Sequence, residues 1–235
     1  MVACPQGAPL VIEIGPGRGA LTTCLLERAE RVIAIEVDPL MVEALGSQPR
    51  LEIVQSDVLQ TDLSQWGPAI LAGNLPYYIT SPILERIFAA RAAISHATIL
   101  IQKEVAVRIT APHGMRDYGY LSVLCQTYAE VKSLFNIAPG SFSPPPKVES
   151  AVIALHMRQD VPDQTPFLTF AGRAFRQKRK TLRNNLLPFF DKDRLESMPE
   201  AGLRAEQLSI GQLRDLFGRL SGDANKEHVE PIGFT

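Results

Sequence analysis

Residues 72–82, Ala-Gly-Asn-Leu-Pro-Tyr-Tyr-Ile-Thr-Ser-Pro, put the tetrad Asn74, Leu75, Pro76 and Tyr77 directly behind a predicted strand. These residue types suit the holding of an exocyclic amine against an electrophilic methyl group. The Asn74 carboxamide oxygen and the Leu75 carbonyl can accept hydrogen bonds from an N6 amine, Pro76 fixes the turn and removes a donor, and the Tyr77 ring offers a stacking face. The chemistry this arrangement would serve is amino methylation of a base. The same residues also occur in ordinary polar strand-to-helix loops, so the elements that position them must decide.

Those elements begin with Leu10-Val-Ile-Glu-Ile14, a short apolar run, then Gly15-Pro-Gly-Arg-Gly19, then a helical pattern through Ala20, Leu21, Cys24, Leu25 and Arg28. Strand, glycine loop and helix let the backbone at Gly15 and Gly17 pass close to a ligand, with free N–H groups at the helix start. Dinucleotide enzymes and methyltransferases both use such a loop. The next strand, Arg31–Glu36, ends in a carboxylate where both hydroxyls of a ribose can be received. A third, Leu51–Gln55, runs into Asp57, which can accept from an adenine amine. Glu36 and Asp57 are also plausible as loop carboxylates or helix caps. The fourth strand, Ala69–Ala72, delivers Asn74, so four strand ends in series point at one crevice.

Further on, a helix near Thr80–Ala90, a strand His96–Gln102, helical patterns at Lys103–Arg108 and Tyr118–Cys125, and strands Val131–Ile137 and Val148–Met157 continue the alternation. The expectation is an α/β fold with a doubly wound, mostly parallel sheet whose last two strands are antiparallel at the edge. Between those two strands a loop with three consecutive prolines carries Phe142 and Lys147. Phe142 either stacks on an unpaired base opposite Tyr77 or plugs the core. From about residue 160 the strand signals stop, and an all-α domain is expected over 160–220 behind a first domain at 1–159, with a disordered tail at 221–235. One helical pattern over Thr165–Leu187 places Arg173, Arg176, Arg179, Lys180 and Arg183 opposite its apolar side; such a stripe is usually a solvated helix surface, but with Lys178 there are six cations in 173–183 without an acid. That imbalance reads as a phosphate-binding face, with Lys147 as a further candidate, on a chain whose net charge is only −1.

Composition agrees with a soluble globular protein: 235 residues, 46% hydrophobic and 21% charged, with no apolar run long enough to span a membrane. Three scattered cysteines, Cys4, Cys24 and Cys125, form neither a disulfide framework nor a zinc pattern, no metal cluster is visible, and a reducing cytoplasm is expected.

Taken jointly, Ile12–Thr22, Glu36-Val-Asp-Pro39, Asp57-Val58, Gly73–Pro82, Gln102–Ala106, Tyr118–Ser122, Ser141–Ser150 and Phe175–Asn184 resemble the KsgA family of ribosomal RNA adenine dimethyltransferases over roughly residues 10–220. The resemblance implies a Rossmann-like S-adenosylmethionine (SAM) domain with a small helical RNA-binding domain. The implied activity is dimethylation of two adjacent adenosines near the 3′ end of small-subunit ribosomal RNA, within the immature 30S particle, by a monomer that releases S-adenosylhomocysteine. It also implies roles for matching positions: Gly15 and Gly17 at the methionine end of the cofactor, Glu36 at the ribose, Asp57 at the adenine, and Asn74 at both cofactor and target. The sequence departs from the family at its start, where a segment with a Gly-Gln-Asn-Phe-Leu type motif has no counterpart, and a weakened hold on the cofactor is expected. Two rival readings share the motifs, a macrolide-resistance methylase acting on large-subunit RNA and a non-catalytic assembly factor on the same scaffold. The Phe175–Asn184 match favours the small-subunit enzyme over the first, and retention of Asn74 and Tyr77 disfavours the second.

Overall fold

A computed structural model describes residues 3–142 and 145–222; the expected tail beyond Gly222 and two residues of the loop after Phe142, Ser143 and Pro144, lie outside the described residues. The apolar runs form seven strands, β1 (Val11–Ile14), β2 (Val32–Glu36), β3 (Leu51–Gln55), β4 (Ala69–Asn74), β5 (Ile94–Gln102), β6 (Ala129–Ile137) and β7 (Ser150–Met157). They make one sheet in the order β3-β2-β1-β4-β5-β7-β6. Strands β3, β2, β1, β4 and β5 run parallel, and β7 is antiparallel to both of its neighbours. The last two strands in sequence, β6 and β7, thus form an antiparallel pair at one edge of the sheet, as expected, with β7 the strand that runs against the others. Helices α1 (Ala20–Leu26), α2 (Pro39–Leu45), α3 (Thr80–Ala89), α4 (Lys103–Thr110) and α5 (Tyr120–Tyr128) intervene between strands. Every residue of β1 is buried, as is all of β4 except Asn74, which is what a sheet covered on both faces requires.

Strand order reverses between β1 and β4, so the loops leaving their carboxyl ends diverge and open a crevice. The two strands approach closely there. Ile14 is in register with Gly73, and a Cβ at Gly73 would lie 2.7 Å from the Ile14 carbonyl oxygen, closer than any side chain allows. Gly15 next to it has φ +67°, a left-handed conformation, and a Cβ there would stand 3.4 Å from the Asn74 carbonyl oxygen. These two glycines bring the loop after β1 against the end of β4.

One residue of β1 breaks its apolar character. Glu13 is 1% exposed, and its Oε2 has no hydrogen-bond partner among the described residues. Burial pushes its pKa up to about 7; the nearby Thr22 on α1 eases that shift, although the Thr22 hydroxyl lies outside hydrogen-bonding geometry.

Packing divides the chain into two units, one comprising residues up to Ala106 with Tyr128–Asp160, the other Val107–Thr127 with the chain from Val161 onward. Val107–Thr127, which lies between strands β5 and β6 in sequence, thus packs with the helical unit. Within that unit Tyr118 packs edge-on against Phe175 at 5.7 Å, and Gln126 donates to the carbonyls of Ile109 and Ala111, both at 2.9 Å. The unit also holds α6 (Thr165–Ala174), α7 (Leu182–Leu186), α8 (Lys192–Glu196) and α9 (Ile210–Ser221). Phe170 contacts Phe190 and Phe217 at 5.9 and 5.4 Å, and α9 opens on a capping box of Ser209 and Gln212.

The helix expected over Thr165–Leu187 is interrupted. α6 stops at Ala174, residues 175–181 form a turn, and α7 starts behind Thr181, whose hydroxyl accepts from Asn184 N. The cause is Asn185, 4% exposed, whose side chain accepts from Gln177 N at 3.2 Å and donates to the carbonyls of Ala174 and Gln177 at 2.8 and 3.1 Å. Satisfying those three backbone groups from one buried amide outweighs the helix propensity of the Arg and Lys residues between. Among the described residues no helix is long and apolar enough to cross a membrane.

Because the folded Glu13 carboxyl titrates at about 7 rather than near 4.5, the folded chain holds a proton that the unfolded chain has released between these values. This residue's contribution to stability is thus full at low pH and declines as pH rises to about 7, by roughly 3 kcal/mol at about 1.4 kcal/mol per pH unit. Glu13→Gln carries no such proton. The difference in thermal midpoint between variant and wild type should move in the variant's favour from pH 5 to pH 8, and parallel curves would rule this assignment out.

Candidate active site

The carboxyl ends of β1, β2, β3 and β4 surround a cavity of about 430 Å³ in the first unit. Gly15, Gly17, Glu36, Asp57, Asn74, Leu75, Pro76, Tyr77 and Phe142 all line it. These are the nine residues nominated from sequence for cofactor and target base, and the fold brings them together. Ile35, Val37, Ser56, Val58, Tyr78, Ile79 and Pro146 complete much of the wall. Most of these are sequence neighbours of nominated residues, and that adjacency is the signal that could have added Ile35, Val37, Ser56 and Val58.

Glu36, at the end of β2, is held by backbone donors. Its Oε2 accepts from Gly17 N at 3.2 Å, and its Oε1 accepts from Val37 N and Asp38 N at 2.9 and 3.0 Å. A carboxylate offers about four acceptor positions, so two incoming hydroxyls would compete with the Gly17 amide for Oε2. Asp57 uses Oδ1 to accept Leu59 N at 2.9 Å, tightening the turn after β3. Glycines at the two loop positions that line the cavity, Gly15 and Gly17, an anchored carboxylate at Glu36, and a second carboxylate, Asp57, in a wall that also holds Val37 and Val58 fit an adenosine-bearing cofactor.

Asn74 ends β4 with its side chain exposed and without a protein partner among the described residues. Leu75 is 1% exposed and its N–H donates to the Leu100 carbonyl at 3.0 Å, which anchors the tetrad to β5. Pro76, with φ −63°, leads into a single 3-10 turn at Tyr77–Ile79. The Thr80 hydroxyl contacts the carbonyls of Pro76 and Tyr77 at 3.3 and 3.4 Å. Tyr77 is half-buried and its hydroxyl lies 2.7 Å from Ser150 Oγ on β7, a link with no sequence signal. Phe142 is half-buried and follows a 3-10 turn at Pro139–Ser141, to which it donates its N–H through the Pro139 carbonyl at 3.2 Å. It forms part of the cavity wall.

The nominated cations are more dispersed. Arg176, Lys178, Arg179 and Lys180 are exposed on the turn 175–181 rather than along a helix. Arg173 lies over the Phe189 ring at 4.3 Å, and Arg183 makes two hydrogen bonds to the Glu196 carboxylate. Lys178 donates to the Arg116 carbonyl and lies 3.9 Å from Glu206. Arg176, Arg179 and Lys180 have no carboxylate partner among the described residues and make the open part of the patch. Lys147 is exposed and belongs to the first unit.

The family model for ribosomal RNA adenine dimethylase matches residues 5–221. The chain is 43% identical over 232 residues to a ribosomal RNA small subunit methyltransferase A from Acidobacterium capsulatum, covering 91% of this chain and 82% of that protein. It is 41% identical over 218 residues to the protein of the same description from Chlorobaculum parvum, covering 90% and 79%. Among solved structures, a dimethyladenosine transferase from Plasmodium falciparum superposes with TM-score 0.77 at 25% identity over 96% of this chain and 93% of that one. The 23S rRNA methyltransferase ErmE superposes with TM-score 0.68 at 26% identity over 94% of each. The fold is thus the Rossmann-like fold of methyltransferases with a helical C-terminal region. On the match over residues 5–221, this chain belongs to the ribosomal RNA adenine dimethylase family.

Proposed function

We propose that this protein transfers methyl groups from SAM to the N6 amines of two adjacent adenosines near the 3′ end of small-subunit ribosomal RNA. It acts as a cytoplasmic monomer on the immature 30S particle. The observation that carries the reading is the cavity in which the glycine loop, two strand-end carboxylates and the Asn-Leu-Pro-Tyr turn meet. Identities of 43% and 41% to small-subunit methyltransferases support the small-subunit substrate.

Gly15 and Gly17 would admit the methionine end of SAM, Glu36 a ribose hydroxyl, and Asp57 the adenine amine. When bound there, SAM supplies an electrophilic methyl on sulfur. Displacement at that carbon is in-line, so the chain's main task is to align the target nitrogen, and no strong base is required. An adenine amine is a poor nucleophile because its lone pair is delocalised into the ring. Asn74 Oδ1 and the Leu75 carbonyl, accepting its two N–H groups, favour a pyramidal nitrogen and stabilise the positive charge that develops on it. Tyr77 and Phe142 would hold the base, which must leave its stack to enter. Arg176, Arg179 and Lys180, with Lys147 and the partly engaged Arg173, Lys178 and Arg183, would bind phosphates.

Asn74→Ala removes an acceptor aimed at the developing charge without touching the cationic turn. Methyl transfer should fall by about 10²–10³-fold, while RNA affinity, read by filter binding, stays within about two-fold of wild type; near-normal turnover would refute the mechanism. Replacing Arg176, Arg179 and Lys180 together with Ala should lower the slope of log affinity against log salt by about 0.7–0.9 for each phosphate no longer neutralised. An unaltered slope would take RNA binding away from this turn.

A further inference from the structure

Strand β7 reads Ser-Ala-Val-Ile-Ala-Leu-His-Met, and at its first position Ser150 is 0% exposed. A hydroxyl in that setting is costly unless bonded, where alanine would be free of the cost. Its Oγ has one hydrogen-bond partner among the described residues, the Tyr77 hydroxyl at 2.7 Å, 73 positions away in sequence. The backbone of Ser150 is equally constrained. It is paired with Gln102 at the end of β5 and with Ile137 at the end of β6. The Ile137–Ser150 pair closes the loop that carries Phe142 and Pro146 to the cavity. Beside it, Lys103 N donates to the Glu149 carbonyl at 2.9 Å, and Lys103 Nζ pairs with the Glu149 carboxylate at 2.7 Å. One buried residue thus touches the Tyr77 wall of the cavity through its side chain and borders the Phe142 wall through its backbone.

We propose that Ser150 is a positioning residue for methyl transfer, setting the plane and position of the Tyr77 ring relative to the loop that bears Phe142; the proposal rests on the reading of Tyr77 and Phe142 as the faces that hold the target base. Tyr77 follows a proline turn at the rim of an open cavity, and Tyr78 beside it is 85% exposed, so packing alone restrains this segment little. A ring in such a place turns about χ1 and χ2 unless its far end is held. The Ser150 bond holds that end against the rigid sheet. Two methyl groups must be delivered to one nitrogen, and the second transfer places a bulkier monomethylamine in the same alignment. A misplacement of about 1 Å costs up to about 10²-fold in rate. The anchored ring therefore acts on kcat, and on the second transfer most of all. RNA affinity, carried by phosphate binding elsewhere, is left alone.

The test compares wild type, Ser150→Ala, Tyr77→Phe and the double variant. Each single change removes one half of the bond and keeps the aromatic ring. Each should lower kcat about ten-fold, raise the ratio of monomethyl to dimethyl product, and leave KM for RNA within two-fold. The double variant should be no worse than either single one, because they break the same bond. Wild-type kcat in Ser150→Ala, or losses that multiply in the double variant, would overturn the proposal. Protein with ¹³C-labelled tyrosine, free of RNA, provides a separate readout. The chain has five tyrosines, and the Tyr77 ring signal is the one missing from Tyr77→Phe. Ser150→Ala should shift that signal and leave the other four in place; an unmoved Tyr77 signal overturns the hydrogen bond itself. A wild type that transfers no methyl would instead count against the functional reading, with the resonance comparison still deciding the link between Ser150 and Tyr77.

Discussion

Everything in the cavity depends on how closely β1 and β4 approach at their carboxyl ends. Gly73 has room for a hydrogen and nothing larger against the Ile14 carbonyl, and Gly15 turns left-handed beside the Asn74 carbonyl. A side chain at Gly73 would force the strands apart at the place where their loops diverge. Asn74 and the glycine loop would then separate, and with them the acceptor for the amine and the bed for the cofactor. Sheet topology puts the opening between these two strands, and two glycines set its width.

Around that constraint the polar groups are fixed by backbone more than by one another. Glu36 is held by three N–H groups, Asp57 by the turn it tightens, and Leu75 by a bond to β5. Groups held in this way are oriented before a ligand arrives, so little reorganisation opposes the reaction. The aromatic wall is different, since Tyr77 stands on a proline turn and depends on a hydroxyl from another strand. Glu13 also sits in this region, buried in β1 two residues ahead of Gly15, and its raised pKa makes the local stability depend on pH near neutrality.

The nine cavity residues were legible because parallel strands covered on both faces are short apolar runs, and their ends are marked by the first polar or glycine residue. Gly15, Glu36, Asp57 and Asn74 are each such a mark. Less legible was whatever long-range bonds decide. Basic residues at helical spacing between Phe175 and Arg183 favour a helix locally, and only the buried Asn185 amide reveals the turn. The placement of Val107–Thr127 in the helical unit is a matter of packing between distant segments, as between Tyr118 and Phe175. The Ser150 link to Tyr77 likewise has no local pattern. A serine at the head of an apolar strand reads as a boundary residue until its partner is seen.

The central claim is that this cavity joins a SAM site to a pocket for an adenine amine. It is tested most directly by incubating the protein with methyl-labelled SAM and immature 30S particles that lack the modification, then digesting the RNA to nucleosides. The account predicts labelled N6,N6-dimethyladenosine from two adjacent positions near the 3′ end of the small-subunit RNA. Label in any other nucleoside, or no transfer by a protein shown to bind SAM and the particle, would contradict it.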